Sequence, residues 1–180
     1  IVGFRISWLA FESVEKAALL EALDFKDTGE ADEANESPFS AVQLRNDWSI
    51  IWSNDFEWAA TQPIKLSFPT KRIVSCQLHE GLMYSAVHGA EDGIELWSVI
   101  HDAQQSLHDL SVSGDPPEEF PAIKDGLFGE QEKEDAGSAE VDFVFDIPIE
   151  LAASITGFRH DLWEIDGHRP DWTVIERKSS

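Results

Sequence analysis

The sequence predicts an α+β fold in which a mostly antiparallel β-sheet and flanking helices form a single domain. The first observation is the stretch from Lys71 to Val112, where consecutive strand-like runs are separated by short turns. Two of these runs flank Gly89 to Gly93, a connection that ends in Asp-Gly and is a good hairpin signal. The second observation is helical spacing of apolar residues near residues 13–23, 116–131 and 147–156. Because hairpin-connected strands pair antiparallel, we expect these helices to lie against an antiparallel sheet.

Length and composition support one domain with a hydrophobic core. Of the 180 residues, 42% are hydrophobic and 11% are aromatic, which is unlike a disordered chain. A chain of this length buries roughly two-thirds of the surface that its unfolded form exposes. No fixed-period repeat and no linker divides the sequence.

The first unit is predicted to be a strand followed by a helix. Gly3 to Phe11 alternates apolar and polar residues before it becomes fully apolar, as an inner strand would. Ser13 can cap the helix that follows. Asp27 to Ser40 contains five carboxylates and no basic residue among small and turn-forming residues, so it is predicted to be a loop. Trp48 to Trp52 is then a short strand.

The central stretch contains four predicted strands. They are Ile73 to Leu78, Leu82 to His88, Ile94 to Ile100 and Leu107 to Val112. Alternation in the first of them points Cys76 toward the interior. Together these strands would form the middle of the sheet.

The C-terminal third is predicted to contain two helices, a strand and a hairpin. Asp115, followed by two prolines, is a helix start, because prolines at the first helical positions remove unpaired N–H groups. Val141 to Phe145 is predicted to be a strand. A second helix follows around Pro148 and ends at Gly157. The dipeptide Asp166-Gly167, between two apolar runs, indicates a closing hairpin.

Charge is the outlying property of the sequence. There are 35 acidic residues and 13 basic ones, a formal net charge of -22. Binding to nucleic acid through phosphates needs a basic face, and an anionic membrane surface needs one too, so neither is predicted as a partner. A basic protein is the favoured partner, because complementary fields accelerate encounter.

Cysteine use and hydropathy indicate a cytoplasmic protein. Cys76 is the single cysteine, so no internal disulfide and no zinc knuckle can form. No apolar run approaches the roughly 20 residues of a membrane helix, and no basic-then-apolar signal segment opens the chain. The expected compartment is the reducing cytoplasm.

No sequence motif identifies a reaction. HExxH, Gly-x-Ser-x-Gly, P-loop and GxGxxG patterns are absent from the sequence. Four histidines directly precede a carboxylate, but adjacent residues on a strand point to opposite faces. These pairs are His79-Glu80, His101-Asp102, His108-Asp109 and His160-Asp161. The sequence therefore predicts no catalytic residue, no metal site and no cofactor.

Three short segments carry a resemblance. GFRISWLAF at the start, TGEADEANESPFS after the first helix and GFRHD near the end resemble a group of uncharacterised small acidic bacterial proteins. That resemblance implies no activity. In size, acidity and lack of catalytic motifs the chain is also similar in character to immunity proteins, which neutralise bacterial toxins by binding them and share no single fold.

The leading hypothesis is a non-enzymatic immunity protein that occludes a basic toxin, such as a nuclease effector. Carboxylates of the acidic loop Asp27–Glu36 and its surroundings would dock on cationic residues while a tryptophan fills a pocket. The predicted partner-binding residues are Asp27, Glu30, Asp32, Glu33, Glu36, Asp47, Trp52, Asp55, Glu57 and Trp58. At least one exposed tryptophan beside carboxylates is expected.

Two alternatives stay open at this stage. One is a small hydrolase or metal-dependent enzyme that uses His88, His101 and Asp102 around the central hairpin. The other is an acidic regulatory or structural module whose partner is not basic.

Overall fold

A computed structural model describes residues 3–63 and 72–179 and places nine strands of these ranges in one antiparallel sheet. The strands are β1 (Arg5–Glu12), β2 (Phe25–Ala31), β3 (Phe39–Gln43), β4 (Trp48–Ser53), β5 (Ile73–His79), β6 (Tyr84–Glu91), β7 (Ile94–Asp102), β8 (Ser111–Gly114) and β9 (Thr173–Arg177). Their order across the sheet is β2-β9-β3-β4-β1-β5-β6-β7-β8. The α+β class and the antiparallel sheet are confirmed.

The described ranges also contain four helices. They are α1 (Lys16–Ala22), α2 (Trp58–Thr61), α3 (Phe120–Asp135) and α4 (Asp146–Thr156). Three of them overlap the helical ranges expected from the sequence, and α2 is a single short turn. None of the helices in the described ranges is both long enough and apolar enough to span a membrane.

Strand β1 lies at the centre of the sheet, between β4 and β5. Trp8 of β1 pairs with Trp52 on one side and with Cys76 on the other. All six residues of β4 are buried, because both faces of the sheet are covered at this point. Cys76 is fully buried, as its alternation pattern predicted.

Two hydrophobic clusters lie on opposite faces of the sheet. On one face α4 packs against β5, β6 and β7 and buries Ile147 and Leu151 completely. This helix ends at Gly157, whose φ of 73° is the left-handed conformation expected of a C-terminal glycine. On the other face α1 and α2 bury Leu19 and Trp58 against the sheet.

The β6–β7 hairpin forms where the sequence predicted it. Glu91 pairs with Ile94 across a two-residue turn of Asp92 and Gly93, both with positive φ. A type I′ turn needs this conformation, which explains the Asp-Gly signal. The predicted central stretch began at Lys71, which lies outside the described residues.

The acidic segment Asp27–Glu36 is only partly a loop. Its first residues belong to β2, where Asp27 pairs with Ile175 of β9, and only the residues after Ala31 connect β2 to β3. The prediction of a loop from Asp27 to Ser40 was therefore wrong at both ends. Strand β2 is at the edge of the sheet and buries only Phe25, so its sequence lacks the alternation of a half-buried strand.

Three other strand predictions were wrong in detail. Val141 to Phe145 is an irregular connection that leads into α4. Residues 107–110 precede β8, which begins at Ser111. The closing hairpin is reduced to a single bridge between Ile165 and His168, and β9 pairs instead with β2 and β3. These partners lie more than 130 residues away in sequence, so no local pattern indicates them.

Two glycines make a matched test of the packing. A Cβ on Gly89 would lie 2.2 Å from the Trp97 ring, whereas a Cβ on Gly126 of α3 would have nothing within 4 Å. We expect Gly89→Ala to lower the free energy of unfolding by about 1 to 3 kcal/mol, because the indole must move. Gly126→Ala should raise it by roughly 0.5 to 1 kcal/mol through helix propensity. Urea unfolding of both variants measures the two changes, and equal effects would contradict the described packing.

Candidate functional site

An open groove of about 410 Å³ lies where β4, β9 and the N-terminal end of β1 meet the C-terminal segment. Its walls come from four separate parts of the chain. Aromatic lining residues are Phe4, Trp52, Trp163 and Trp172, and charged ones are Glu33, Asp161, Arg169 and Asp171. A volume of this size suits a small ligand or a side chain of a larger partner.

The floor of the groove is a rigid aromatic cluster. The rings of Trp52 and Trp172 are 5.9 Å apart in an edge-to-face arrangement, and Phe158 packs within 6.4 Å of each ring. The indole N–H of Trp52 donates to the Asn54 side chain at 3.2 Å. Both tryptophans are buried, so the floor is fixed by the core rather than by the solvent-exposed rim.

The rim carries two exposed apolar side chains. Trp163 is 58% exposed and Leu162 is 53% exposed. The guanidinium of Arg169 stacks over the Trp163 ring at 3.9 Å from its centroid and donates to Glu33 Oε2 at 2.9 Å. This stacking and ion pair hold the indole at the edge of the groove.

His160 is a buried imidazole in the wall of the groove. Its ring meets Phe4 edge-on at 4.7 Å, and its Nδ1 has no hydrogen-bond partner among the described residues. Burial lowers the pKa of His160 to about 4, against the opposing effect of nearby Asp161. The ring is therefore neutral at pH 7 and offers an unused polar atom.

An arginine on the adjoining turn anchors this wall to α4. Arg159 binds three carboxylates, at 3.2 Å from Asp146, at 2.7 Å from Asp161, and in close contact with Glu150. Although burial by itself raises the pKa of Asp161, its hydrogen bond to Arg159 gives a net lowering. One cation facing three anions leaves this region negative.

The structure distributes the predicted partner-binding residues over several surfaces. Glu33 lies on the groove rim, and Glu30 is exposed on β2 nearby in sequence. Glu36 and Asp55 line a separate depression of about 530 Å³, and Glu57 is exposed just beyond it in sequence. This depression also contains Trp58 of α2, a helix that lies with α1 on one face of the sheet. The depression therefore lies on the opposite face of the sheet from the groove floor.

Two further carboxylates of that set have structural contacts. Asp27 forms an ion pair with Lys16 at 3.0 Å. Asp32 is buried, and its oxygens accept backbone N–H groups of Glu36 and Ser37 at 2.9 and 3.2 Å, which closes the connection before β3. Asp47 lies in the β3–β4 turn, at the opposite end of β4 from Trp52. A single docking surface made of all ten residues does not form.

The tryptophans chosen from the sequence as anchors are buried. Trp52 is 3% exposed and forms part of the groove floor, while Trp58 is 4% exposed and packs between Phe25 and Phe39. Because both side chains are buried, neither is presented at the surface as the anchor that the sequence predicted. The exposed tryptophan beside carboxylates is Trp163. Little in the sequence indicates that Trp163 is exposed, because this depends on the position that long-range pairing gives to the neighbouring strand β9.

The histidines of the alternative enzyme site do not converge. Ser85 of β6 pairs with His101, and His88 is three residues further along, so His88 and His101 point to opposite faces of the sheet. His101 is fully buried, with Nδ1 at 2.7 Å from the Asp109 carbonyl and Nε2 at 2.8 Å from Asp142 Oδ2. Asp102 accepts hydrogen bonds from the turn that follows β7.

Across residues 3–63 and 72–179, no group of three or more His, Cys, Asp or Glu side chains is placed to hold a metal ion. Burial raises the pKa of the Cys76 thiol to about 12, so it stays protonated. The groove is the site in which exposed aromatic rings, carboxylates and an unused buried polar atom come together.

No protein-family model, no curated protein and no solved structure matches the chain. The function of the chain is therefore inferred from the groove.

The His101–Asp142 pair gives a prediction for pH dependence. Burial by itself lowers the pKa of His101, but its hydrogen bonds to Asp142 and Asp109 give a net rise. Burial by itself raises the pKa of Asp142, but the same pair gives a net lowering. The stabilisation is therefore present between the ordinary values of about 3.9 and 6.5. It is lost as pH rises through the raised pKa of His101 or falls through the lowered pKa of Asp142.

We expect Asp142→Ala to lower the free energy of unfolding by about 3 kcal/mol at pH 6, because it leaves a buried imidazole unpaired. The control is Glu130→Ala, which removes an exposed pair with Lys133 and should cost less than about 1 kcal/mol. Denaturant unfolding from pH 5 to 9 measures both variants. A deficit for Asp142→Ala that grows with rising pH would contradict the assignment.

Proposed function

We propose that this protein is a non-enzymatic binding protein that holds a basic protein partner at the groove. The observation that carries the proposal is the exposed indole of Trp163 at the rim of an aromatic-floored groove with Glu33 and Asp171 beside it. Large, rigid aromatic side chains with polar surroundings are typical of the residues that dominate binding energy.

The basic character of the partner follows from charge. A net charge of -22 produces a negative field that attracts cations from a distance and repels other acidic proteins. Within the groove region, Arg159 is paired with the carboxylates of Asp146, Glu150 and Asp161. Arg169 is paired with Glu33. Asp171, which is exposed, adds a carboxylate for which no ion pair is found within the described ranges.

Binding, rather than catalysis, is supported by the state of the groove's acidic groups. A general acid needs a raised pKa, whereas the pKa of Asp161 is lowered. Glu33 is paired with Arg169, and His160 is neutral with a pKa of about 4. Neither Asp161 nor His160 therefore has the raised pKa that a general acid needs at neutral pH.

A toxin neutralised by occlusion is the partner that we propose, with this chain as its immunity protein. Cationic surfaces of nucleases bind phosphates, and an acidic protein that covers such a surface would prevent substrate binding. We place the complex in the cytoplasm, where a single thiol such as Cys76 stays reduced, and we propose that the chain acts as one domain. The likeness to uncharacterised small acidic bacterial proteins is compatible with this role.

The test begins with co-purification of the tagged protein from its own cells at low and moderate salt, followed by mass spectrometry and calorimetry with the recovered partner. Trp163→Ala should weaken binding of that partner by about 2 to 4 kcal/mol, because it removes the exposed anchor. Leu107→Ala is the matched control: Leu107 is 77% exposed, lies outside the groove, and its loss should leave affinity unchanged.

Both substitutions are at exposed positions, so unfolding curves should not distinguish the variants. Higher salt should slow association of the partner, since screening weakens the attraction between the two fields. An acidic partner, or a partner that binds Trp163→Ala and wild type equally, would refute the proposal.

A further inference from the structure

We propose that Trp163 and Glu33 form a receptor for a guanidinium group, which Arg169 occupies in the free protein and an arginine of the partner occupies in the complex. This inference rests on the proposed function, because it names the chemical group through which the groove recognises a basic partner. It concerns one side chain of that partner.

The chain itself shows that this pair of residues accepts a guanidinium. Arg169 stacks on the Trp163 ring at 3.9 Å while it donates to Glu33 Oε2 at 2.9 Å. Planar stacking with a simultaneous hydrogen bond to a carboxylate is a geometry that arginine provides and lysine does not. The site therefore selects for arginine over lysine.

The present occupant is easy to replace. The side chains of Arg169 and Glu33 are 46% and 69% exposed, and exposed ion pairs of this kind contribute little to stability. Residues 160–172 around Arg169 form an irregular segment rather than a helix or strand, so the side chain can move without disturbing the sheet. An external guanidinium that replaces Arg169 makes an equivalent contact, and further contacts in the groove must offset the entropy lost on association.

The groove beneath this site provides further contacts for an incoming side chain. Asp171 is exposed beside the rim, and the described residues contain no ion-pair partner for it. An arginine that enters over Trp163 would reach the Asp171 carboxylate, with which Arg169 forms no ion pair.

The experiment uses the intact protein and three small probes that differ only in the head group. These are Nα-acetyl-arginine amide, the lysine analogue, and the citrulline analogue, a neutral isostere of arginine. Titration is followed through the indole N–H cross-peak of Trp163 in ¹H–¹⁵N spectra, assigned by its loss in Trp163→Phe. We expect the arginine probe to shift this peak with the highest affinity of the three and the citrulline probe to have no effect.

Variants then separate exchange from simple surface attraction. Arg169→Ala should increase affinity for the arginine probe roughly fivefold, because the internal competitor is gone. Glu33→Gln should reduce it by a similar factor. Lys124→Ala is the control, since Lys124 is an exposed cation of α3 outside the groove and its removal changes the net charge equally.

Weaker probe binding by Arg169→Ala, equal binding of the citrulline probe, or no shift of the Trp163 peak would overturn the inference. If the peak is silent while the recovered basic partner still depends on Trp163, the guanidinium receptor is wrong and the proposed function stands. If the probe binds as expected and no basic partner depends on Trp163, the guanidinium site stands and the proposed function is wrong.

Discussion

Burial of β1 on both faces is the constraint on which the rest of the structure depends. A strand with this environment needs hydrogen-bonded neighbours on both sides and an apolar layer above and below it. Strands β4 and β5 supply the neighbours, α4 supplies part of one layer, and α1 with α2 supplies the other. Buried serines fix the connections between these layers: Ser7 binds the backbone around α2, and Ser49 donates to the Val14 carbonyl. The core therefore determines where the groove floor lies.

The sequence predicts those parts of the fold that local patterns determine. Turn chemistry at Asp92-Gly93 located a hairpin, and the glycine at 157 located the end of α4. Strand β2 and the position of β9 could not be predicted in the same way, because each depends on a pairing between distant residues. An edge strand that buries only Phe25 carries almost no periodic signal. The exact limits of short elements such as α2 depend on tertiary contacts as well.

The sequence predicts an aromatic anchor among carboxylates, but not where in the fold such a set of residues lies. Net charge and the number of tryptophans indicated an aromatic anchor among carboxylates, and Trp163 beside Glu33 has that character. The pattern could not distinguish a buried tryptophan from an exposed one, since Trp52 and Trp163 both stand in apolar runs. Exposure is decided by which residues pack from elsewhere in the chain. The sequence also could not show which carboxylates form ion pairs, because this depends on the three-dimensional positions of the basic side chains.

The position of β9 between β2 and β3 has a consequence for the order of events during folding. Strand β2 contacts the remainder of the sheet through β9, so it cannot join the sheet until residues 173–177 have been synthesised. The central strands can pair earlier, because their hairpins are local. The groove combines Phe4 with residues 160–173, so it would be the last surface to mature on a nascent chain. A ribosome-bound fragment that ends before β9 would contain much of the core and still leave the groove incomplete.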